Sequence, residues 1–122
     1  MTDLDEALAR YDPSATALGR AVAEEMASLV PGSNLIVFAA SYAVTVAFSF
    51  NDRWKDGFCF VLFTRHHANL SFHHGADLPD PTGILQGDGK QLRHIRIDTP
   101  NFLTRPEVRE LVLHAAERAP AP

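Results

Sequence analysis

Six residues in the last third of the sequence have the side-chain and backbone types that could hold a small anion. Backbone N–H groups of a glycine-rich turn and cationic side chains are the usual donors to phosphate or carboxylate. The set consists of Gly87, Gly89, Lys90, Arg93, His94 and Arg96. It is not a Walker A loop, because Gln91 stands where Ser or Thr is required and a strand pattern follows. The structural alternative is that the glycines only allow a tight turn before an edge strand.

Histidines form a second candidate group. Strand alternation predicts that His67, His73 and His94 lie on one face of a sheet, where imidazoles could bind a metal ion. His67 and His73 alone cannot share an ion, because six residues of strand span about 20 Å. His94 would have to join one of them. The alternatives are a solvated polar face, or a small-anion site formed by His94 and Arg96.

The sequence favours a non-enzymatic protein and predicts no catalytic residue. It shows no Ser-His-Asp or Cys-His arrangement at a recognisable spacing. The single cysteine, Cys59, lies in an apolar run from 58 to 63, which predicts a buried thiol rather than a reactive thiolate. Asp77 and Asp80 flank Pro79, a pattern that is typical of a turn.

Composition narrows the class of protein. A length of 122 residues predicts one domain over 1–122, and a net charge of -4 disfavours nucleic-acid binding. The first residues are acidic, unlike a secretory signal, and no apolar stretch reaches the roughly 18 residues of a membrane span. We therefore expect a cytoplasmic protein that does not contact a membrane.

The elements that must position these candidate residues follow from hydrophobic periodicity. Helical spacing predicts N-terminal helices over about 2–30, with Asp12 as a cap before Pro13 and a stop at Gly32. Alternating patterns predict strands over about 35–98, with the run 58–63 as a central strand. Thr104 and Glu107 predict a capping box at the start of a helix over about 104–118. The predicted fold is α+β, with a mostly antiparallel sheet of about five strands and helices packed on one face.

The glycine- and proline-rich segment 74–96 carries a resemblance to a known family. It reads HGADLPDPTGILQGDGKQLRHIR, and it resembles a signature of the YdhG-like domain family, G-A-x-L-x-D-P-x-G-L-L-x-G-x-G-K-x-x-R-H. The resemblance extends over about 18–118 and implies an α+β fold without a catalytic set. Some members are described as frataxin-like iron chaperones, for which acidic residues on the first helices would be the candidates. Those residues are Asp3, Asp5, Glu6, Asp12, Glu24 and Glu25.

Two functional hypotheses result. The first is a non-enzymatic binding or interaction domain, with a small anionic ligand at the corner formed by 87–96. The second, implied by the resemblance, is a frataxin-like iron or metal chaperone. An unpaired sheet edge would also make a homodimer feasible. The sequence identifies no cofactor.

Overall fold

Two helices precede a five-stranded sheet and a third helix follows it, in a computed structural model that describes residues 3–97, 99 and 101–120. Thr2 and Asp98, which the sequence patterns place in elements, lie outside these residues. None of the helices in the described ranges is long and apolar enough to span a membrane. The elements are α1 (Asp3–Leu8), α2 (Pro13–Leu29), β1 (Asn34–Ala39), β2 (Val44–Ser49), β3 (Cys59–Phe63), β4 (Ala68–Phe72), β5 (Arg93–Ile97) and α3 (Pro106–Glu117), with 3₁₀ turns at Trp54–Asp56, Gly75–Asp77 and Phe102–Thr104.

The sheet is an antiparallel meander in which every strand pairs with its neighbour in sequence. Its order is β1-β2-β3-β4-β5. The run 58–63 was predicted to be a central strand because it is apolar on both faces, and β3 does occupy the middle of the sheet. The predicted α+β class, with helices at both ends of the chain, is confirmed.

A buried row of side chains crosses the sheet and forms the centre of the core. Val46 lies opposite Val61, which lies opposite Leu70, which in turn lies opposite Ile95. Helical side chains such as Met26 of α2 belong to the same hydrophobic cluster. Strand alternation therefore sends one set of side chains toward the helices and leaves the other set on a helix-free face.

The ends of α2 follow the predicted pattern except for the cap itself. Pro13 occupies the first turn, and Gly32 adopts φ +88° just after the helix, a left-handed conformation that suits glycine. Asp12 is the N-cap residue, but its side chain makes no capping hydrogen bond. Its backbone carbonyl instead accepts the N–H of Ala15 at 2.8 Å.

The predicted capping box at the start of α3 is wrong. The N-cap residue is Arg105, and Thr104 belongs to the preceding 3₁₀ turn. The Thr104 hydroxyl donates to the carbonyl of Asn101 at 2.7 Å, and no side-chain cap hydrogen bond forms at the helix start. Glu107 accepts a hydrogen bond from the guanidinium of Arg105 at 2.9 Å. The helix begins one residue later than the capping box requires, which leaves Thr104 in the 3₁₀ turn before it.

Candidate functional site

The helix-free face of the sheet is apolar on one side and polar on the other. Its apolar part comes from β1 and β3, and its polar part comes from β4 and β5. The cross-strand pairing places Ser71 opposite His94 and Asn69 opposite Arg96, as the alternation of the sequence predicted. The residues of this face are Ile36, Phe38, Thr45, Ala47, Phe60, Leu62, Asn69, Ser71, His94 and Arg96.

A cleft with a volume of about 370 Å³ lies on this face, within the range of small-molecule sites. Two aromatic pairs contribute to its walls. Phe38 and Trp54 meet edge to face with 5.5 Å between ring centroids, and Phe60 stacks on His73 at 4.0 Å. The cleft is lined by Phe38, Thr45, Trp54, Phe60, Leu62, Ser71, His73 and Leu92.

Three exposed large apolar side chains meet at this cleft. Phe38 is 40% exposed, Trp54 44% and Leu92 51%, and all three line it. Apolar groups gathered around a concavity, rather than scattered singly, mark a binding surface. Trp54 belongs to the connector between β2 and β3, so that connector contributes directly to the cleft. The sequence contained a signal for this surface, namely aromatic residues on both faces of β3, which we attributed only to burial in the sheet.

His73 is the titratable side chain that lines the cleft. Burial lowers the pKa of its imidazole, and the nearby charge of His74 lowers it further. The ring is therefore neutral at pH 7. A neutral imidazole has one N–H donor and one nitrogen acceptor, so His73 can form a hydrogen bond with a ligand while its face stacks on Phe60.

The candidate anion-binding corner adjoins the cleft, but part of it serves the loop itself. The Arg93 guanidinium donates to the carbonyl of Leu92 at 2.9 Å and also to that of Gly89. Gly87 has φ +115°, and a Cβ added to it would lie 3.6 Å from Nδ1 of His94. Lys90 is exposed at the end of this loop. Arg93 thus folds back onto the loop, whereas the His94 ring lies beside Gly87.

Strand register divides the cations of this corner between the two faces. Arg93 lies opposite the buried Phe72, on the helix side, while His94 and Arg96 belong to the helix-free face. His94 also forms a two-way backbone pair with Gln86, at 2.8 and 3.0 Å. This pairing holds the segment before the glycine turn against the outer side of β5. The basic side chains that share a face with the cleft are therefore those of His94 and Arg96.

The turn before the corner is organised by Asp80. Its two carboxylate oxygens accept the backbone N–H groups of Ile84 and Leu85 at 3.1 and 3.0 Å. The prediction that this aspartate shapes a turn is confirmed. Gly75 packs directly on Arg93 at the end of β4, where a Cβ would meet the Arg93 Cβ at 2.5 Å. The Gly75 contact packs the start of the glycine- and proline-rich segment against β5, whereas the Asp80 hydrogen bonds lie within that segment.

His67 lies apart from the other two histidines of the candidate metal site, His73 and His94. His94 is opposite Ser71, and His67 precedes Ser71 by four residues, or roughly 13 Å along a strand. The ring of His73 stacks on Phe60. Within residues 3–97, 99 and 101–120, no group of three or more His, Cys, Asp or Glu side chains is positioned to hold a metal ion.

The acidic residues of the first helices have structural roles where the contacts are described. Asp5 forms an ion pair with Arg20 at 3.1 Å, which joins α1 to α2. Glu25 has one buried carboxylate oxygen without a hydrogen-bond partner, and burial raises the pKa of this side chain.

Cys59 is fully buried, as the sequence predicted, and burial raises the pKa of its thiol, so it stays protonated.

Comparison with known proteins identifies no relative. No protein-family model matches the chain, and no curated protein or solved structure matches it. The function is therefore inferred from the cleft and from the side chains that surround it.

Proposed function

We propose that this chain is a non-enzymatic domain that binds a small molecule composed of a flat apolar part and an anionic group. One observation carries the proposal: an aromatic cleft lies on the helix-free face of the sheet, beside the strand that carries His94 and Arg96. The proposed ligand keeps the anionic group that the sequence suggested. It adds an apolar part because aromatic side chains line the cleft.

The apolar part of the ligand would lie between the two aromatic pairs. Phe38 and Trp54 form one wall, and Phe60 with His73 forms another. Aromatic contacts in offset or edge-to-face geometry contribute about 0.5–1.5 kcal/mol beyond area burial. A flat ring or a short unsaturated chain would use this geometry better than a compact polar molecule would.

The anionic group would lie toward β5. Ser71 lines the cleft and is the cross-strand partner of His94, so the two residues are about one strand spacing, roughly 4.8 Å, apart. The next pair on the same face joins Asn69 to Arg96. A ligand extending out of the cleft would meet in turn a hydroxyl, an imidazole and a guanidinium, all of which can donate to a carboxylate or phosphate.

The lining of the cleft supports binding rather than catalysis. Among the described residues that line it, His73 is the titratable group, its ring packs against Phe60, and the lining offers it no carboxylate to pair with. General acid–base or nucleophilic catalysis needs such a paired arrangement.

The emission of Trp54 provides a direct test, because it is the single tryptophan of the chain and it lines the cleft. We expect aromatic carboxylates or aryl phosphates to change this emission in a saturable way and to raise the melting temperature. Leu92→Ser, which removes an exposed wall of the cleft, should weaken binding about tenfold, or 1.4 kcal/mol. Tyr42→Ser is the matched control, because Tyr42 is 82% exposed and lies outside the cleft.

A second variant separates the anionic contact from the apolar one. Arg96→Gln should weaken binding of the carboxylate probe about tenfold but leave the binding of its neutral amide unchanged. If none of the probes changes Trp54 emission, or if Leu92→Ser binds as tightly as Tyr42→Ser, the cleft is not the binding site. Equal losses for carboxylate and amide would contradict the assignment of the anionic end.

The metal-chaperone hypothesis remains the alternative drawn from the YdhG-like resemblance. No observation in the described part of the chain favours it. The same assay distinguishes the two, with iron(II) added to the metal-free protein under anaerobic conditions. Stabilisation by iron(II) without any response to carboxylates or phosphates would replace the small-molecule proposal.

A further inference from the structure

The outer edge of β1 is open to another strand. In the part of the chain that the structure describes, β1 pairs with β2 on one side and with no strand on the other. None of its six residues is buried, whereas five of the six residues of β2 are. An open edge presents unpaired backbone N–H and C=O groups, which are a template for pairing with a further strand.

The two edges of the sheet are protected differently. On the β5 edge, the backbone of Gln86 pairs with that of His94, and Arg93 and Arg96 add charges on the strand. Charged side chains and covering segments are the devices that keep edges from pairing. The sequence of β1, Asn-Leu-Ile-Val-Phe-Ala, has neither charge nor proline. Two copies of β1 can pair without like charges on the paired strands themselves, which two copies of β5 cannot.

The hairpin that joins β1 to β2 determines which backbone groups face outward. The N–H of Ala40 donates to the carbonyl of Ala43 at 2.9 Å, which makes these two residues a hydrogen-bonded pair. Because such pairs alternate along an antiparallel ladder, Ile36 and Phe38 direct their N–H and C=O groups toward β2. The groups that point away from the sheet belong to Leu35, Val37 and Ala39.

We propose that this edge pairs with the β1 strand of a second copy of the chain, in an antiparallel arrangement about a twofold axis at Val37. This register uses every outward-facing residue. Val37 pairs with Val37 of the second copy, and Leu35 pairs with the second copy's Ala39. The result is one continuous ten-stranded sheet, with the helices of both copies on the same side.

Side-chain exposure on both faces of β1 agrees with this arrangement. On the helix side, Leu35 is 38% exposed and lines a groove together with Val37, so the helices leave this strand partly uncovered. On the other side, Phe38 would lie beside the second copy's Ile36. Pairing would therefore cover apolar surface on both faces of the strand in addition to its backbone groups.

The first experiment measures mass in solution by light scattering over a dilution series of the intact chain. We expect a species of twice 13.4 kDa that dissociates on dilution. Val37→Lys places two ammonium groups opposite each other at the axis and should weaken dimerisation at least tenfold. Val37→Thr, which has a similar shape and keeps the same backbone groups, is the control and should remain dimeric.

Cross-linking tests the register without relying on the stability of the lysine variant. Val37→Cys should form an intermolecular disulfide under mild oxidation, because paired residues have Cα atoms about 5.5 Å apart, within disulfide range. Leu35→Cys should not, because its counterpart in the second copy would be roughly 14 Å away. The natural cysteine, Cys59, is buried and should not interfere.

A chain that stays monomeric throughout the dilution series would overturn the inference. So would a Val37→Lys variant that dimerises as tightly as Val37→Thr, or a Leu35→Cys variant that cross-links as readily as Val37→Cys. The ligand site is tested separately through Leu92 and Arg96, which lie outside β1, whereas Phe38 of β1 contributes to both surfaces.

Discussion

Replacing Gly75 with alanine should destabilise the chain because the added methyl group has no space. Gly75 is buried at the end of β4, and an ideal Cβ there would lie 2.5 Å from Cβ of Arg93 and 3.1 Å from its backbone nitrogen. Carbon atoms in favourable contact are about 3.5–4.0 Å apart. Arg93 cannot move away freely, because it is paired with Phe72 in the sheet.

The expected loss of stability follows from the steric overlap of the added methyl group. Inserting a methyl group into a filled site costs about 1–3 kcal/mol when the backbone must shift. For a domain of this length, 1 kcal/mol corresponds to roughly 4 °C in melting temperature, so we expect Gly75→Ala to melt roughly 4–12 °C lower. Because Gly75 supports Arg93, ligand binding at the neighbouring corner should weaken as well.

Thermal unfolding followed by circular dichroism measures this effect, with Gly89→Ala as the control. A Cβ at Gly89 would have its nearest neighbour, the Leu92 carbonyl oxygen, at 3.7 Å, which is ordinary contact. Both substitutions reduce the entropy of the unfolded chain by the same amount. The difference between their melting temperatures therefore measures the steric overlap of the added methyl group with Arg93. If Gly75→Ala melts at the temperature of Gly89→Ala, the tight packing of Gly75 against Arg93 is refuted.

Two further predictions concern pH and the turn before the corner. Because the fold lowers the pKa of His73 below its ordinary value of 6.5, the unfolded chain takes up the proton first, and stability should fall as the pH drops through about 6.5 toward the folded pKa. Urea unfolding at several pH values should show a flatter profile for His73→Phe, and identical profiles would count against this assignment. Asp80→Ala removes the acceptors for the N–H groups of Ile84 and Leu85 and should cost about 1–3 kcal/mol. Hydrogen exchange of those two amides should accelerate, and unchanged exchange would show that the carboxylate does not hold the turn.

Local patterns in the sequence were sufficient for most of the elements. The alternation around Val46 predicted the side of β2 that joins the core cluster, although Ala47 and Ser49 on the other side are buried as well. The apolar run containing Cys59 predicted a central strand. Pro13 and Gly32 marked the limits of α2 within a few residues. These features depend on neighbours within a few positions, and the periods of helix and strand are properties of the backbone itself.

Local signals failed at the helix caps. The spacing of Thr104 and Glu107 fits a capping box, but the Thr104 hydroxyl bonds to Asn101 in a 3₁₀ turn. Asp12 occupies the expected cap position and still makes no side-chain cap. A hydroxyl or carboxylate near a helix start has several backbone hydrogen-bond partners within reach. The free energies of these alternative hydrogen bonds differ by less than the packing of the surrounding chain contributes, so packing decides which one forms.

The sequence by itself determined the α+β class, the alternation of the strands and the burial of the core. Only the tertiary structure decided that Phe38, Trp54, Phe60 and Leu92 meet in one cleft, and that Arg93 turns back onto its loop. Alternation assigns a side chain to a face, but its neighbours on that face depend on strand order and register. The pairing of β4 with β5, which brings Leu92 to the cleft, joins strands separated by the long segment 73–92, so no local pattern contains it.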